Sequence, residues 1–332
     1  MGTVLIAYAE RAQSLRETAL LEEMGYQVQH AQGVPGTADP RLRDAEAILV
    51  TVQEVTAGTL DAMPACKIVS RVGTGLDSID LDAAARRGIY VTNVADYSVD
   101  EVSTHAIALL LAHTRRLPQY VAGVRAGQWS STGNGAIRRL RGLTLGVVGF
   151  GRIGQATAAK GRGLGLWVLA FDPFRAGTDI RASGAEPVDL PELLDRSDFI
   201  SLHVPLTAQT HHLINAQALA AMKPSAVLIN TARGGLVDEP ALAAAIRSGQ
   251  IAGAALDVLA QEPPPQDHPL LADQRVLITP HAGWYSTEAQ DDVAVRACEE
   301  VHRVLSGQPP RSPANSPAPP TAVPAQRKEN VG

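Results

Sequence analysis

Cysteine is scarce. Cys66 and Cys298 are the only two in 332 residues and stand far apart, which leaves no disulfide scaffold and no metal site built on closely spaced thiols to be read. Such sparing use fits a reducing cytoplasm. No leader is expected either: MGTVLIAYAERA has no basic start and reaches Glu10 and Arg11 after a handful of apolar residues, too few for a signal peptide or a membrane span. Nor does its sixth position carry the Ser or Thr of a myristoylation site. There is no excess of positive charge either, since the formal net charge is -5, so nothing electrostatic calls for nucleic acid or an anionic membrane. No solenoid-type repeat is visible. What remains is an ordinary globular composition, 45% hydrophobic and 19% charged, whose default partner is a small molecule. The length exceeds one compact core and suits two domains of ~100 to 200 residues each, and two domains usually make a cleft.

Short β-branched runs alternate with helical ones: VLIAYA, SLRETALLEEMG, AILVTV, KIVSRV, DLDAAARRG, YVTNV. This is the rhythm of parallel βα units. A long helix is expected after Ser98, its N-cap, with Glu101 completing a capping box; Pro118 ends or bends it. Residues 126–142, rich in Gly and Ser, read as a loop. A second βα series opens at LTLGVVGFG and runs through WVLAFD, FISLHV, AVLIN and GAALDV to RVLITP. From Thr287 to Gly307 the period is that of an amphipathic helix, expected to return to the first domain and make it discontinuous. From Gln308 onward Pro recurs too often for helix or sheet, and the pattern predicts a disordered tail over 308–332.

GFGRIG places Gly149, Gly151 and Gly154 between a strand and a helix pattern, and Asp172 closes the next strand, the layout of a dinucleotide-binding βαβ unit. Glycines there let the backbone approach a pyrophosphate at the positive helix end. Asp172 would accept from the adenosine ribose hydroxyls and repel an extra phosphate, which favours NAD over NADP; Arg175, three residues on, either softens that preference or is a solvated surface cation. Three further residues follow later strands: Arg233, Glu262 and His281. Ligands of doubly wound sheets bind beyond the carboxyl ends of strands, so these three loops can converge. Arg offers a planar fork for a carboxylate and a neighbouring carbonyl. His exchanges a proton near neutral pH, and Glu262 beside it would favour the imidazolium and fix the ring. The set asks for a 2-oxo acid. Singly, each has a plainer reading: Arg233 as a cation on an exposed turn, Glu262 as a solvated charge before Pro263, His281 as a turn cap after Pro280.

GFGRIG with Asp172, NTARGGLVDE at 230–239, AALDV with Glu262 and Pro263, and TPHAGWYS at 279–286 resemble the D-isomer-specific 2-hydroxyacid dehydrogenases, from the first strand to about Gly307. AIRRLRGLTLGVVGFGRIGQA, HHLIN and Trp284 directly after HAG look most like the branch of the C-terminal-binding-protein corepressors and their bacterial relatives. The resemblance implies an α/β fold of two doubly wound parallel-sheet domains. A Rossmann-type NAD domain, residues 99–287, is inserted in a flavodoxin-like substrate-binding domain, residues 1–98 plus 288–307. It further implies that Arg233 binds the substrate carboxylate and carbonyl, that His281 is the acid/base with Glu262 its partner, and that Gly234 and Gly235 leave room for nicotinamide and substrate. Arg71, Val72 and Gly73 would meet substrate and Thr74 the cofactor. Arg152, Ile153, Ala232 and Gly283 join the glycines on the cofactor. Thr231 and Asp257 would line its nicotinamide side, and His203, Pro205 and Thr210 its adenosine and ribose side.

Two positions depart from the family pattern. Many members carry an acidic residue where Thr104 stands, a cofactor contact in the implied set. Trp284 fills a place where a different neighbour is common, and would shape the substrate pocket. A phosphorylated or phosphonylated substrate would call for more cations, for which Arg11, Lys67 and Arg71 are candidates. Formate-oxidising members carry Gln where Glu262 stands, so the carboxylate speaks for chemistry that moves a proton. The alternative class is an NAD(H)-sensing binding protein of corepressor type, which has no chemical need for Arg, Glu and His together. No metal site is expected. A homodimer is, through the helix near 100–117 and the loop after it.

Overall fold

The computed structural model describes residues 2–8, 10–133 and 135–317. The chain divides into two compact units, Met1–Tyr97 with Thr287–Gly332, and Ser98–Ser286.

The first unit alternates β1 (Thr3–Ile6), α1 (Leu15–Glu23), β2 (Gln27–His30), α2 (Pro40–Asp44), β3 (Ala47–Val50), α3 (Ala57–Asp61), β4 (Ile68–Arg71), α4 (Leu81–Arg86) and β5 (Tyr90–Thr92). The second comprises α5 (Val99–Thr114), α6 (Leu117–Arg125), β6 (Thr144–Val148), α7 (Arg152–Gly163), β7 (Trp167–Phe171), α8 (Gly177–Ala182), β8 (Glu186–Pro187), α9 (Leu190–Arg196) and β9 (Phe199–Leu202). It continues with α10 (Ala216–Ala220), β10 (Val227–Asn230), α11 (Glu239–Ser248), β11 (Gly253–Leu256) and β12 (Val276–Ile278). The last helix, α12 (Thr287–Leu305), belongs to the first unit.

All named strand pairs are parallel. The first sheet runs β2-β1-β3-β4-β5 and the second β12-β11-β10-β9-β6-β7-β8, the flavodoxin and dinucleotide-fold orders. Both sheets are covered on both faces, which is why their strands are nearly continuous apolar runs. In the first, Val4, Ile6 and Leu49 face Leu21 of α1 and Val293, Ala297 and Val301 of α12, while Leu5, Ile48 and Val50 face Leu42, Leu60 and Ala83 of α2 to α4. In the second, Leu145, Val147 and Ile229 pack with Leu109 and Leu110 of α5. Val148, Leu228 and Leu256 pack on its other face with Leu193, Leu219 and Leu242 of α9 to α11.

Four details differ from the sequence reading. Strands β2 and β8 were not visible in the sequence: β2 is the polar edge run QVQH and β8 is two residues long, so neither shows the apolar signal of a central strand. Ser98 precedes α5 but makes no side-chain cap, and Glu101 accepts instead from Ser286 Oγ at 2.8 Å. Pro118 falls in the first turn of a new helix, α6, after a left-handed Arg116, so it restarts the helix rather than ending it.

The fourth is a correction to the tail. Residues 308–317 are held: Thr92 bridges Pro313 in antiparallel sense, Ala314 N–H donates to Val91 O at 2.7 Å, and Arg311 N–H donates to the Glu300 carboxylate at 2.9 Å. The Asn315 amide imitates a strand, accepting from Val91 N–H at 2.9 Å and donating to Ile89 O at 2.9 Å. Proline density obscured this because a side chain and two backbone groups suffice to cover an edge strand. Residues 318–332 lie outside the described residues. Asn315→Ala leaves the Val91 N–H without its acceptor and should destabilise the first unit by about 1–2 kcal/mol, read as a lowered urea midpoint; an unchanged midpoint would show the strap to be idle.

Candidate active site

The second sheet ends in register. Phe171, Val148, Leu202, Asn230, Leu256 and Ile278 lie side by side across neighbouring strands. The next residue of each strand therefore falls on one line along the carboxyl edge: Asp172, Gly149, His203, Thr231, Asp257 and Thr279. Of the residues singled out by sequence, most sit on this line or in the loops that leave it.

At the centre, Gly149 turns with φ +91°, and a Cβ there would meet the His203 carbonyl at 2.7 Å; a Cβ on Gly154 would meet Gly149 O at 2.0 Å. Only glycine allows this packing. Beyond it Gly151 begins the 12-residue α7 with no side-chain cap and open space where its Cβ would be, so the first-turn N–H groups, with Arg152 and Ile153, are left for an anion. Asp172 accepts Phe150 N–H at 2.7 Å and Phe174 N–H at 2.9 Å, which locks the glycine turn to the end of β7. Thr231 Oγ1 is buried and has no partner among the described residues, an orphan of the kind a bound ligand satisfies. Glycine cradle, uncapped helix and orphan hydroxyl all fit a dinucleotide.

Other expected cofactor residues are occupied locally. His203 meets Ser201 Oγ through Nε2 at 2.9 Å, and burial pushes its imidazole down to about 4. Thr210 Oγ1 donates to Pro205 O at 2.7 Å and accepts from Thr207 N–H at 2.8 Å. Ala232 N–H donates to the Asn230 side chain at 3.0 Å. Thr104 is exposed on α5.

Asp257 is 2% exposed and spends its carboxylate on one loop. It accepts from Thr279 Oγ1 at 2.5 Å, Ala282 N–H at 2.9 Å and Gly283 N–H at 2.7 Å, and His105 of α5 approaches at 3.3 Å. Its backbone carbonyl accepts His281 N–H at 2.8 Å. Burial pushes the carboxyl up, but these donors outweigh it and hold it below the ordinary aspartate value. The expected nicotinamide-side residue thus also builds the His281 loop. Sequence reasoning missed His105 and Thr279; a carboxylate at the end of an apolar strand was the signal that partners were needed.

His281 itself has φ +53°, a left-handed backbone that costs a non-glycine residue roughly 1–2 kcal/mol. Its Nδ1 lies 2.7 Å from Glu262 Oε2, and the other Glu262 oxygen accepts Leu259 N–H at 3.0 Å. Burial raises the Glu262 carboxyl, but the His281 hydrogen bond and charge, with the Leu259 N–H, bring it below the ordinary glutamate value. The pair is about one third exposed, open to a substrate. Arg233 starts the neighbouring loop, where Asn230 Nδ2 donates to its carbonyl at 2.8 Å and its Nη1 donates to Ala232 O at 2.7 Å.

Gly234 has a packing reason within this unit. A Cβ there would fall 1.9 Å from Leu259 C, so its bareness lets the Arg233 loop lie on the Glu262 loop. Trp284 stacks edge-on with Tyr285, centroids 5.6 Å apart, directly after the His281 loop.

In the first unit, Arg71 to Thr74 leave the end of β4. Arg71 Nη1 donates to Val72 O at 2.5 Å, Gly73 O accepts Val94 N–H at 3.0 Å, and Thr74 Oγ1 donates to Val94 O at 3.3 Å. Lys67 precedes β4, at the opposite edge, and pairs with Glu46 at 2.6 Å. Among the described residues no group of three or more His, Cys, Asp or Glu side chains could hold a metal, and no helix is long and apolar enough to cross a membrane.

Residues 107–283 match the family model described as D-isomer specific 2-hydroxyacid dehydrogenase, NAD binding domain. Over 266 residues the chain is 43% identical to a D-3-phosphoglycerate dehydrogenase of Mycobacterium leprae, covering 80% of this chain and 50% of that one. Over 279 residues it is 39% identical to a glyoxylate reductase of Korarchaeum cryptofilum, 83% of this chain and 84% of that one. Among solved structures, a D-lactate dehydrogenase from Aquifex aeolicus complexed with NAD and lactic acid superposes with a TM-score of 0.85 at 31% identity, over 92% of this chain and 96% of that one. The chain belongs to the D-isomer specific 2-hydroxyacid dehydrogenase family, and its second unit contains the family's NAD binding domain. It spans about half the length of the phosphoglycerate dehydrogenase it matches.

The Asp257 network carries a pH signature. A carboxyl held below its unfolded value stabilises the fold fully above that value, about 3.9, and loses the contribution as pH falls through the lower folded value. The stability advantage of the wild type over Asp257→Asn, measured by urea unfolding, should be largest near neutral pH and shrink below about pH 4. An advantage unchanged down to the acid limit would remove the charge from the account.

Proposed function

We propose that the protein is an NAD-dependent oxidoreductase interconverting a small D-2-hydroxy acid and its 2-oxo acid. The observation that carries this reading is the His281 to Glu262 contact of 2.7 Å, on loops that leave β12 and β11, the two strands that follow β10, which delivers Arg233, in the sheet order.

NADH, when bound, would supply the hydride that reduces the carbonyl carbon. Arg233 holds the substrate carboxylate and polarises the adjacent carbonyl through its planar fork. With the Nδ1 proton shared with Glu262, the imidazolium gives its Nε2 proton to the carbonyl oxygen as negative charge develops there, and in the reverse direction Nε2 takes the hydroxyl proton. The Glu262 charge stabilises the imidazolium and fixes the ring. For the cofactor, the α7 N-terminus would hold the pyrophosphate, Asp172 the adenosine ribose and Thr231 the nicotinamide side. Asp172 favours NAD over NADP by charge. Trp284 would shape the substrate pocket. An NAD(H)-sensing binding protein has no use for a proton donor, and no observation favours it.

Of the candidate cations for a phosphate, Lys67 is paired at the far edge of its sheet and Arg71 donates within its own loop, while Arg11 is exposed beyond the end of β1; a small acid without a phosphate is the reading we adopt. The buried free thiols Cys66 and Cys298 suit the reducing cytoplasm. Leu117, Val121 and Val124 form a half-exposed apolar stripe on α6, continued by Trp129 at 91% exposure. A second copy of the chain is the partner we propose for it.

Loss of NADH absorbance with a panel of 2-oxo acids, from glyoxylate and phenylpyruvate to phosphohydroxypyruvate, tests the reading. One unphosphorylated acid should be reduced, and His281→Ala should lower its rate by about 100- to 10,000-fold. Tight NADH binding without turnover of any acid would sink the proposal.

A further inference from the structure

Glu239 and His268 form another carboxylate–imidazole pair in the second unit, one that the reaction above does not use. We propose that this pair is a positioning device, which fixes the Leu259–Glu262 turn from behind and thereby seats the Glu262 carboxylate against His281. The inference rests on the function proposed for His281 and deepens it.

Glu239 opens α11, where a carboxylate is favoured by the helix dipole, and the residue is 9% exposed. One oxygen accepts Ala260 N–H at 2.7 Å and the other meets His268 Nε2 at 3.1 Å. Ala260 N–H is the neighbour of Leu259 N–H, which donates to Glu262 at 3.0 Å. Two consecutive backbone donors of one turn therefore point to two carboxylates, one buried beneath the loop and one in the site. Fixing the first donor fixes the peptide that orients the second.

That peptide also touches the Arg233 loop, because a Cβ on Gly234 would fall 2.2 Å from Ala260 N. The Glu239 anchor thus acts where both loops meet. His268 has its side chain 12% exposed, and its Nδ1 is buried with no partner among the described residues, so the imidazole is committed to Glu239 rather than to solvent. A surface ion pair would contribute little; a buried acceptor for a turn N–H that is lost leaves that donor unsatisfied.

The test compares wild type, Glu239→Ala, Glu239→Gln and His268→Gln with Glu262→Ala and the Glu239→Ala/Glu262→Ala double variant. With the acid that wild type reduces, Glu239→Ala should lower kcat by up to ~100-fold, as expected for a misplaced catalytic group, while the Kd for NADH stays unchanged. Glu239→Gln, which keeps an oxygen for Ala260 N–H, should recover most of the loss. In the Glu262→Ala background the Glu239→Ala penalty should largely vanish, the mark of two residues acting as one unit. An unchanged kcat in Glu239→Ala, or an equal penalty with and without Glu262, would overturn the proposal. Should Glu239→Ala fail to fold, His268→Gln, which leaves the Ala260 bond in place, carries the same cycle with a smaller loss. Should wild type reduce no acid, the functional reading fails by itself. The pair is then judged by the low-field proton resonance of His281 Nδ1–H: shifted or broadened in Glu239→Ala if the pair positions Glu262, unmoved if it does not.

Discussion

Six parallel strands of the second sheet end in one register row, and the site follows from that constraint. Because Phe171, Val148, Leu202, Asn230, Leu256 and Ile278 are lateral neighbours, the chain leaves the sheet six times along one line. Residues far apart in sequence, from Asp172 to Thr279, share one edge without any long loop having to find its place. Parallel pairing makes this possible, since every strand presents the same end to the same edge. A slip of one residue in β12 would carry His281 away from Glu262 and turn the apolar faces outward.

The register row sets positions; carboxylates then set the loops. Three pairs of carboxylate and imidazole lie beyond neighbouring strands: Asp257 with His105, Glu262 with His281, and Glu239 with His268. Their exposures separate their work. Asp257 and Glu239 are buried and spend their oxygens on backbone N–H groups of the 279–283 and 259–262 loops. Glu262 and His281 are partly open. Buried, satisfied polar networks give a unique arrangement, and the left-handed backbone of His281 is tolerated because Asp257 binds the loop on several sides.

Much of this was legible in the sequence, for physical reasons. Central parallel strands bury both faces, so VLIAYA, LTLGVVGFG and AVLIN announced themselves as unbroken apolar runs. Arg233, Glu262 and His281 stood out because each follows such a run with a charge or an imidazole. What stayed hidden depended on side chains meeting across long separations: His105 on Asp257, His268 on Glu239, and the Asn315 strap on Val91. Polar edge strands such as QVQH give no apolar signal, and the Pro-rich stretch after Gln308 hid a segment whose order comes from an edge it covers. Gly234 was visible but its reason was not, because the close approach of Leu259 exists only in the folded loops.

The most direct test of the central claim is to reduce the preferred 2-oxo acid with NADH deuterated at the transferred position, and to determine label and configuration at C2 of the product. The account predicts deuterium bonded to C2 of a D-2-hydroxy acid, with the hydroxyl proton drawn from the enzyme and solvent through His281. A product carrying no deuterium at C2 from either labelled face, or of L configuration, would contradict it.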